Sequence, residues 1–180
     1  PYDEPYVIAG QGTVGLEISE QIKELKVNAE NLLVCCGGGG LTSGIATAMA
    51  SHRPDIVVRP VEPKGFDDVA RSLIAGKIER NTESAGSLCD AIVTPQPGDL
   101  TFPIMKQYCG LGLVVSDEEC LKAMAIAYSR LKIVLEPGGA VALAAAIFKK
   151  ELIEGEDVIV VASGGNVDSP LFGSAISKYS

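Results

Sequence analysis

Four consecutive glycines, Gly37 to Gly40, lie between the apolar triplet Leu32-Leu33-Val34 and a small-residue segment from Leu41 to Ser51. A strand directly before and a helix directly after argue against a flexible surface loop. Without Cβ atoms the backbone can curl until successive N–H groups converge on one point, and an anion can come close. The following helix adds its unpaired N–H groups and the positive end of its dipole. This is the construction of a phosphate cradle. It is not a Walker loop, because Gly44 is followed by Ile45 instead of lysine. Nor is it a dinucleotide fingerprint, since Thr42 and Ser43 stand where the last glycine would be.

The rest of the chain alternates short apolar runs with amphipathic segments. Val7-Ile8-Ala9 reads as a short strand, and Val14, Ile18, Ile22 and Leu25 then recur at helical spacing. Ile56-Val57-Val58 is a third strand, followed by a helix from about Asp67 to Ala75. Ala91-Ile92-Val93 gives way to the loop Pro95-Gln96-Pro97-Gly98. Ser116 and Glu119 form a capping box that opens a helix with Leu121, Met124, Ala125, Tyr128 and Leu131 on one face. A further helix is expected from Gly139 to Lys149, and the last strand from Val158 to Ala162. Continuous apolar strands separated by helices predict an α/β fold, a mostly parallel open sheet with helices on both faces. Ligands of such sheets bind at the carboxyl ends of the strands.

A second glycine motif, Gly10-Gln11-Gly12-Thr13-Val14-Gly15, also matches the dinucleotide pattern. The acid that should grip a ribose belongs at the end of the next strand, which here ends in Cys35-Cys36. A tight strand-to-helix entry is the expected reading. Composition narrows the field further. The chain has 180 residues, 47% hydrophobic, with 20 glycines and a formal net charge of −8. That apolar content excludes disorder, and the acidity, with dispersed lysines and arginines, excludes a nucleic-acid footprint. No run approaches a membrane span. Five cysteines without C-x-x-C spacing, and a single histidine, His52, argue against zinc and for reduced thiols in a cytoplasmic setting.

Taken together, five stretches resemble the fold type II pyridoxal-phosphate enzymes, specifically the serine/threonine dehydratase (threonine ammonia-lyase) and serine racemase group. They are Ala9-Gly10-Gln11-Gly12-Thr13, Gly37-Gly38-Gly39-Gly40-Leu41, Val61-Glu62-Pro63 followed by Asp67-Asp68, Glu136-Pro137-x-Gly139-Ala140, and Ser163-Gly164-Gly165-Asn166. The resemblance implies pyridoxal 5'-phosphate as cofactor, its phosphate held by Gly37, Gly38, Gly39, Gly40 and the Leu41 backbone. It places Ser163, with Gly164, beside the pyridine nitrogen, where a hydroxyl leaves the ring a milder electron sink than a carboxylate would. By itself, Ser163 reads as a helix N-cap after a strand. Some members carry a Mg²⁺ or Ca²⁺ site, which here would use the Glu62 carboxylate, the Phe66 carbonyl and the Asp68 carboxylate. The alternative is that Asp67 or Asp68 caps the next helix while Glu62 faces solvent. Asp90 and Glu136 are implied as cleft residues near the substrate.

The family's Schiff-base lysine, in an S-x-K-x-R-G-like motif, and its S-x-G-N-H-like substrate loop have no counterpart here. Residues 1–180 are therefore expected to be the C-terminal, large-domain portion of such an enzyme. The N-terminal half would be the partner that brings the lysine and the small domain; without it the chain is expected to be inactive. A small amino-acid substrate and a homodimer are further family expectations, with neither nucleic acid nor membrane as partner. The parent activity would convert L-threonine, L-serine or a related 3-hydroxy amino acid to a 2-oxo acid and ammonia. Ser87-Leu88-Cys89-Asp90-Ala91 departs from the racemase pattern T-x-A-D-G, which ranks dehydratase above racemase. A non-catalytic module for a phosphorylated ligand or nucleotide, with Glu62 as a ribose-binding acid, is the rival from another class.

Overall fold

The structure, a computed structural model, describes residues 2–179. Alternation along one strand sets the architecture. In β1 (Ala29–Cys35), Leu32 and Val34 point to one face while Leu33 and Cys35 point to the other, and all four are buried. A strand buried on both sides needs helices above and below. On one side lie α1 (Pro5–Leu25) and α2 (Gly40–His52), packing Ile22, Ile45 and Met49 onto Leu32 and Val34. On the other lie α5 (Asp117–Ile126), α6 (Pro137–Phe148) and α7 (Ser169–Tyr179). The alanines and glycines of α6 let it sit close to the sheet, and eight of its residues are buried.

The sheet is entirely parallel, in the order β3-β2-β1-β4, with β2 at Val57–Pro63, β3 at Leu113–Val115 and β4 at Asp157–Val160. β1 and β2 are central, so the turns after them open onto the same end of the sheet. Helix α3 (Asp68–Ala75) follows β2, and α4 (Thr101–Tyr108) packs against α2 and α3. No helix among the described residues is long and apolar enough to cross a membrane. The five cysteines are free thiols.

The expected parallel α/β sheet, α2, α3, α6 and the Ser116–Glu119 capping box are all present. The first element differs. Val7-Ile8-Ala9 is not a strand but part of α1, which starts at Pro5 with the Val7 N–H donating to the Glu4 carboxylate at 2.9 Å. A proline in the first turn behind a carboxylate cap is a helix start. Gly10, Gly12 and Gly15 are thus helical, not a strand-to-helix turn. Two of them serve packing: a Cβ on Gly12 would lie 3.3 Å from the Gly44 carbonyl oxygen, and one on Gly15 would lie 2.8 Å from Ala48 Cβ.

The expected face of α5 also ends early. After Ile126 the backbone widens into a π turn, Ala127–Leu131, and Tyr128 and Leu131 leave the buried side for solvent. Three elements have no counterpart in the sequence reading: α4, the three-residue β3, and α7.

The α1–α2 contact yields a test. A methyl on Gly44 would collide with the Ile8 carbonyl oxygen and lie 2.6 Å from the Gly12 nitrogen, both backbone atoms that cannot turn away. Gly44→Ala should lower the unfolding free energy in urea by about 2 kcal/mol. Gly10→Ala, with open space around it, should not.

Candidate cofactor site

At the carboxyl end of β1 the chain runs from Cys36 through the four glycines into α2. Gly39 is the N-cap and holds φ at 97°, a conformation that side chains disfavour. The N–H groups of the first turn of α2 have no acceptor within the helix and face the turn. Around them lies a cavity of about 200 Å³, bounded by Tyr2, by the segment Cys35 to Thr42, by Ala91, Ile92 and Thr94, and by Ser163. The cavity is tight on every side. A Cβ on Gly37 would lie 3.1 Å from the Ile92 backbone, and one on Gly39 would lie 2.5 Å from Met105 Cε. One on Gly38 would meet the Tyr2 ring. The Thr42 hydroxyl, in the first turn of α2, is buried and has no hydrogen-bond partner.

Ser163 follows β4 and lines the same cavity, next to Cys35. Its carbonyl oxygen presses on Gly139 so closely that no side chain fits there. Gly164 follows with φ at 74° beside Glu136. The Glu136 N–H donates to the Gly164 carbonyl at 3.2 Å, and its carboxylate accepts from the Asn166 N–H at 3.0 Å. The start of α6 and the turn after β4 are thereby tied together. Asp90 and Glu136, although 46 residues apart, both line a neighbouring cleft of about 370 Å³ with Ser87, Asn166 and Asp168.

Glu62 and Asp68 sit behind the cradle. Glu62 does not face solvent, and neither Asp67 nor Asp68 caps α3. Glu62 is fully buried and takes that role itself, accepting from the N–H groups of Val69 at 2.9 Å and Ala70 at 2.7 Å. Burial pushes its carboxyl well above the usual range, and the nearby Asp68 adds to the effect. Asp68 is also buried; one oxygen accepts from the Asn81 amide at 2.6 Å and the other has no partner. Desolvation raises its pKa to about 6, against the opposing pull of the Asn81 hydrogen bond. The Cys36 thiol is pushed well up by burial and then by Glu62. His52 closes α2 at the surface.

Several contributors escaped the sequence reading. Thr42 was legible as a hydroxyl in the first turn after the glycines. Tyr2, Ile92 and Thr94 reach the cavity only through tertiary contacts. Asp3 has no local signature: it accepts from the N–H groups of Asp99, Leu100 and Thr101 at 2.8–3.1 Å, capping α4 from almost a hundred residues away.

An open parallel α/β domain with a glycine turn after β1 and a serine hydroxyl lining the same cavity has the construction of a phosphate-bearing cofactor site. Its residues fit pyridoxal phosphate, with a space that admits no side chain, converging first-turn amides and an orphaned hydroxyl for the phosphate. Residues 1–164 match the family described as pyridoxal-phosphate dependent enzyme. The chain is 38% identical over 178 residues to L-threonine ammonia-lyase of Thermotoga maritima, covering 99% of this chain and 43% of that protein. It is 40% identical over 182 residues to serine racemase of Dictyostelium discoideum, covering 99% of this chain and 53% of that protein. The structure of maize serine racemase superposes with a TM-score of 0.83 at 38% identity, covering 97% of this chain and 54% of that one. The chain belongs to the pyridoxal-phosphate dependent enzymes, in their fold type II branch. It spans about half the length of the curated relatives it matches.

The buried acids make stability depend on pH. Folded Asp68 keeps its proton to about pH 6, whereas its ordinary value is 3.8. The folded state therefore binds more protons between about pH 4 and 6, and stability must fall as pH rises through that window. Thermal melts in chelator should show this decline, and Asp68→Asn should flatten it. An unchanged slope in that variant would place the titration elsewhere.

Proposed function

We propose that this chain forms the phosphate-binding and ring-nitrogen side of a pyridoxal-phosphate lyase. The lyase converts L-threonine, L-serine or a related 3-hydroxy amino acid to the 2-oxo acid and ammonia. The observation that carries the reading is the glycine cradle with its buried, unpartnered Thr42 hydroxyl, sharing one small cavity with Ser163. When bound, pyridoxal phosphate supplies the electron sink that lets the α-proton and then the β-hydroxyl leave.

The chain's own groups divide the remaining work. The backbone N–H groups of Gly37 to Leu41 and the Thr42 hydroxyl hold the phosphate. Ser163 would lie beside the ring nitrogen, where a neutral hydroxyl would not keep that nitrogen protonated as a carboxylate would. Gly164 lets the chain turn without obstructing the ring. Glu136, oriented by the Asn166 N–H, and Asp90 present carboxylates to the cleft where the amino acid lies. The lysine that activates the cofactor, and the loop for the substrate carboxylate, come from an N-terminal portion. Free edges at β3 and β4 and exposed Leu131, Ile133 and Val134 support docking of such a portion. The chain alone is inactive on this reading.

Two experiments test it. Titration with pyridoxal phosphate should give saturable binding that Gly39→Val abolishes; selective binding of a dinucleotide would favour a nucleotide module instead. Mixing the chain with an N-terminal portion that carries the lysine should generate 2-oxo acid from threonine or serine. Formation of D-serine without 2-oxo acid would point to a racemase.

We also infer that Glu62, the Phe66 carbonyl and Asp68 hold Mg²⁺ or Ca²⁺. Two buried carboxylates that form no salt bridge among the described residues need either protons or a cation. Among the described residues, no group of three acidic, cysteine or histidine side chains could hold a metal. The family resemblance implies the Phe66 backbone carbonyl as the third ligand, with water completing the shell. After chelation, adding either ion at pH 7 should raise the melting temperature of the native chain and leave Asp68→Asn unmoved.

A further inference from the structure

The segment from Ser87 to Thr94 is the common wall of the two cavities. Ala91, Ile92 and Thr94 line the cofactor cradle, while Ser87, Leu88 and Asp90 line the substrate cleft. Its fit is close, because the Ile92 backbone fills the room left by the missing side chain of Gly37, and Ala91 and Ile92 pack on Gly138. Local bonds turn it into a single 3-10 turn, Asp90–Ile92, but do not fix that turn in space.

At its far end the Thr94 carbonyl accepts from the Asn81 amide at 2.7 Å; at its near end the tether is Asp117, at the start of α5. The Ser87 hydroxyl donates to one Asp117 oxygen at 2.6 Å, and the Leu88 N–H donates to the other at 3.0 Å. Ser87 Oγ in turn accepts from the Cys89 N–H at 3.1 Å. Among the described residues the two bonds to Asp117, with a Cys89–Cys120 sulfur contact, tie residues 87–89 to another element. The Cys89 side chain, fully buried against Cys120 of α5 at 3.8 Å between sulfurs, adds an apolar anchor to the same helix. Asp117 touches neither cavity.

We propose that Asp117 is a positioning residue. By clamping Ser87 and Leu88 it sets the wall that closes the phosphate cradle at Ile92 and turns Asp90 toward the substrate, so that cofactor and substrate sites share one register. The inference rests on the cofactor reading above.

The test uses the chain assembled with its N-terminal portion and measures pyridoxal-phosphate affinity by fluorescence titration, with amide hydrogen exchange of residues 88–92. Asp117→Ala and Ser87→Ala should each weaken cofactor binding about tenfold, the order of one lost charge-assisted hydrogen bond. Each should also speed exchange of the Leu88, Cys89 and Ile92 amides. Because the Ser87 hydroxyl acts through Asp117, which also holds the Leu88 N–H, the double variant should be no weaker than Asp117→Ala alone. Glu118→Gln removes a neighbouring charge from the same helix end, where among the described residues it pairs with Lys122 and Tyr179, and should leave both readouts unchanged. Should Asp117→Ala fail to fold, Ser87→Ala carries the test alone. Native-like affinity and exchange in Ser87→Ala, additive losses in the double variant, or an equal loss in Glu118→Gln would each overturn the proposal. Failure of the unaltered assembly to bind pyridoxal phosphate would instead overturn the cofactor reading.

Discussion

The turn between β1 and α2 needs backbone N–H groups to converge where no side chain can stand, and much of the surrounding structure answers to that requirement. Four glycines supply the freedom, but freedom alone would leave a floppy loop. Order comes from neighbours that occupy the vacated space: the Tyr2 ring over Gly38, Met105 against Gly39 and the Ile92 backbone against Gly37. Each arrives from a different part of the chain. The cradle is thus assembled by tertiary packing, and its rigidity depends on α4 and on the 87–94 wall as much as on its own sequence.

Those neighbours need anchors, and the anchors are carboxylates set on helix starts. Asp3 caps α4 and so fastens Tyr2 and Met105 to one another. Glu62 caps α3 from the carboxyl end of β2, and Glu119 completes the box that opens α5. A carboxylate on unpaired N–H groups satisfies donors that would otherwise be buried unmet, and it interacts favourably with the helix dipole. Glu119 does this at a half-exposed site, with Lys149 alongside. Glu62 does it in the interior, where its charge is disfavoured and Asp68 lies close. The same device is therefore inexpensive in one place and strained in the other.

This contrast explains what could be read from the chain as a string. Signals written within a few residues were legible: the glycine turn and α2, the Ser116–Glu119 box, and the apolar triplets that became β1 and β2. Glu62 and Asp68 were legible as a pair, but their burial was not, since nothing local says which face of β2 is covered. α4 was invisible because its cap, Asp3, stands at the far end of the chain. α1 was misread for a different reason. Val7-Ile8-Ala9 has strand composition, yet Glu4-Pro5 before it sets a helix start, and the glycines that suggested a turn serve close contact with α2. Of the implied site residues, the structure places Gly37 to Leu41 and Ser163 around one cavity and Asp90 with Glu136 in the next.

The cradle and the acid pair behind it also differ in what they leave unmet. Around the cradle the unpartnered group is a neutral hydroxyl, Thr42, beside amides that want an anion. Behind it the unpartnered atom is an acidic oxygen of Asp68, which wants a proton or a cation. Bound phosphate and a bound cation would therefore each satisfy donors or acceptors that the chain leaves open, on opposite sides of Cys36. Since Cys36 lies between the cradle and Glu62 and is pushed to its neutral form by both burial and that carboxyl, it separates the two charges without adding one. The proposed anion and cation sites both lie near Cys36, and each would stabilise the folded state when filled.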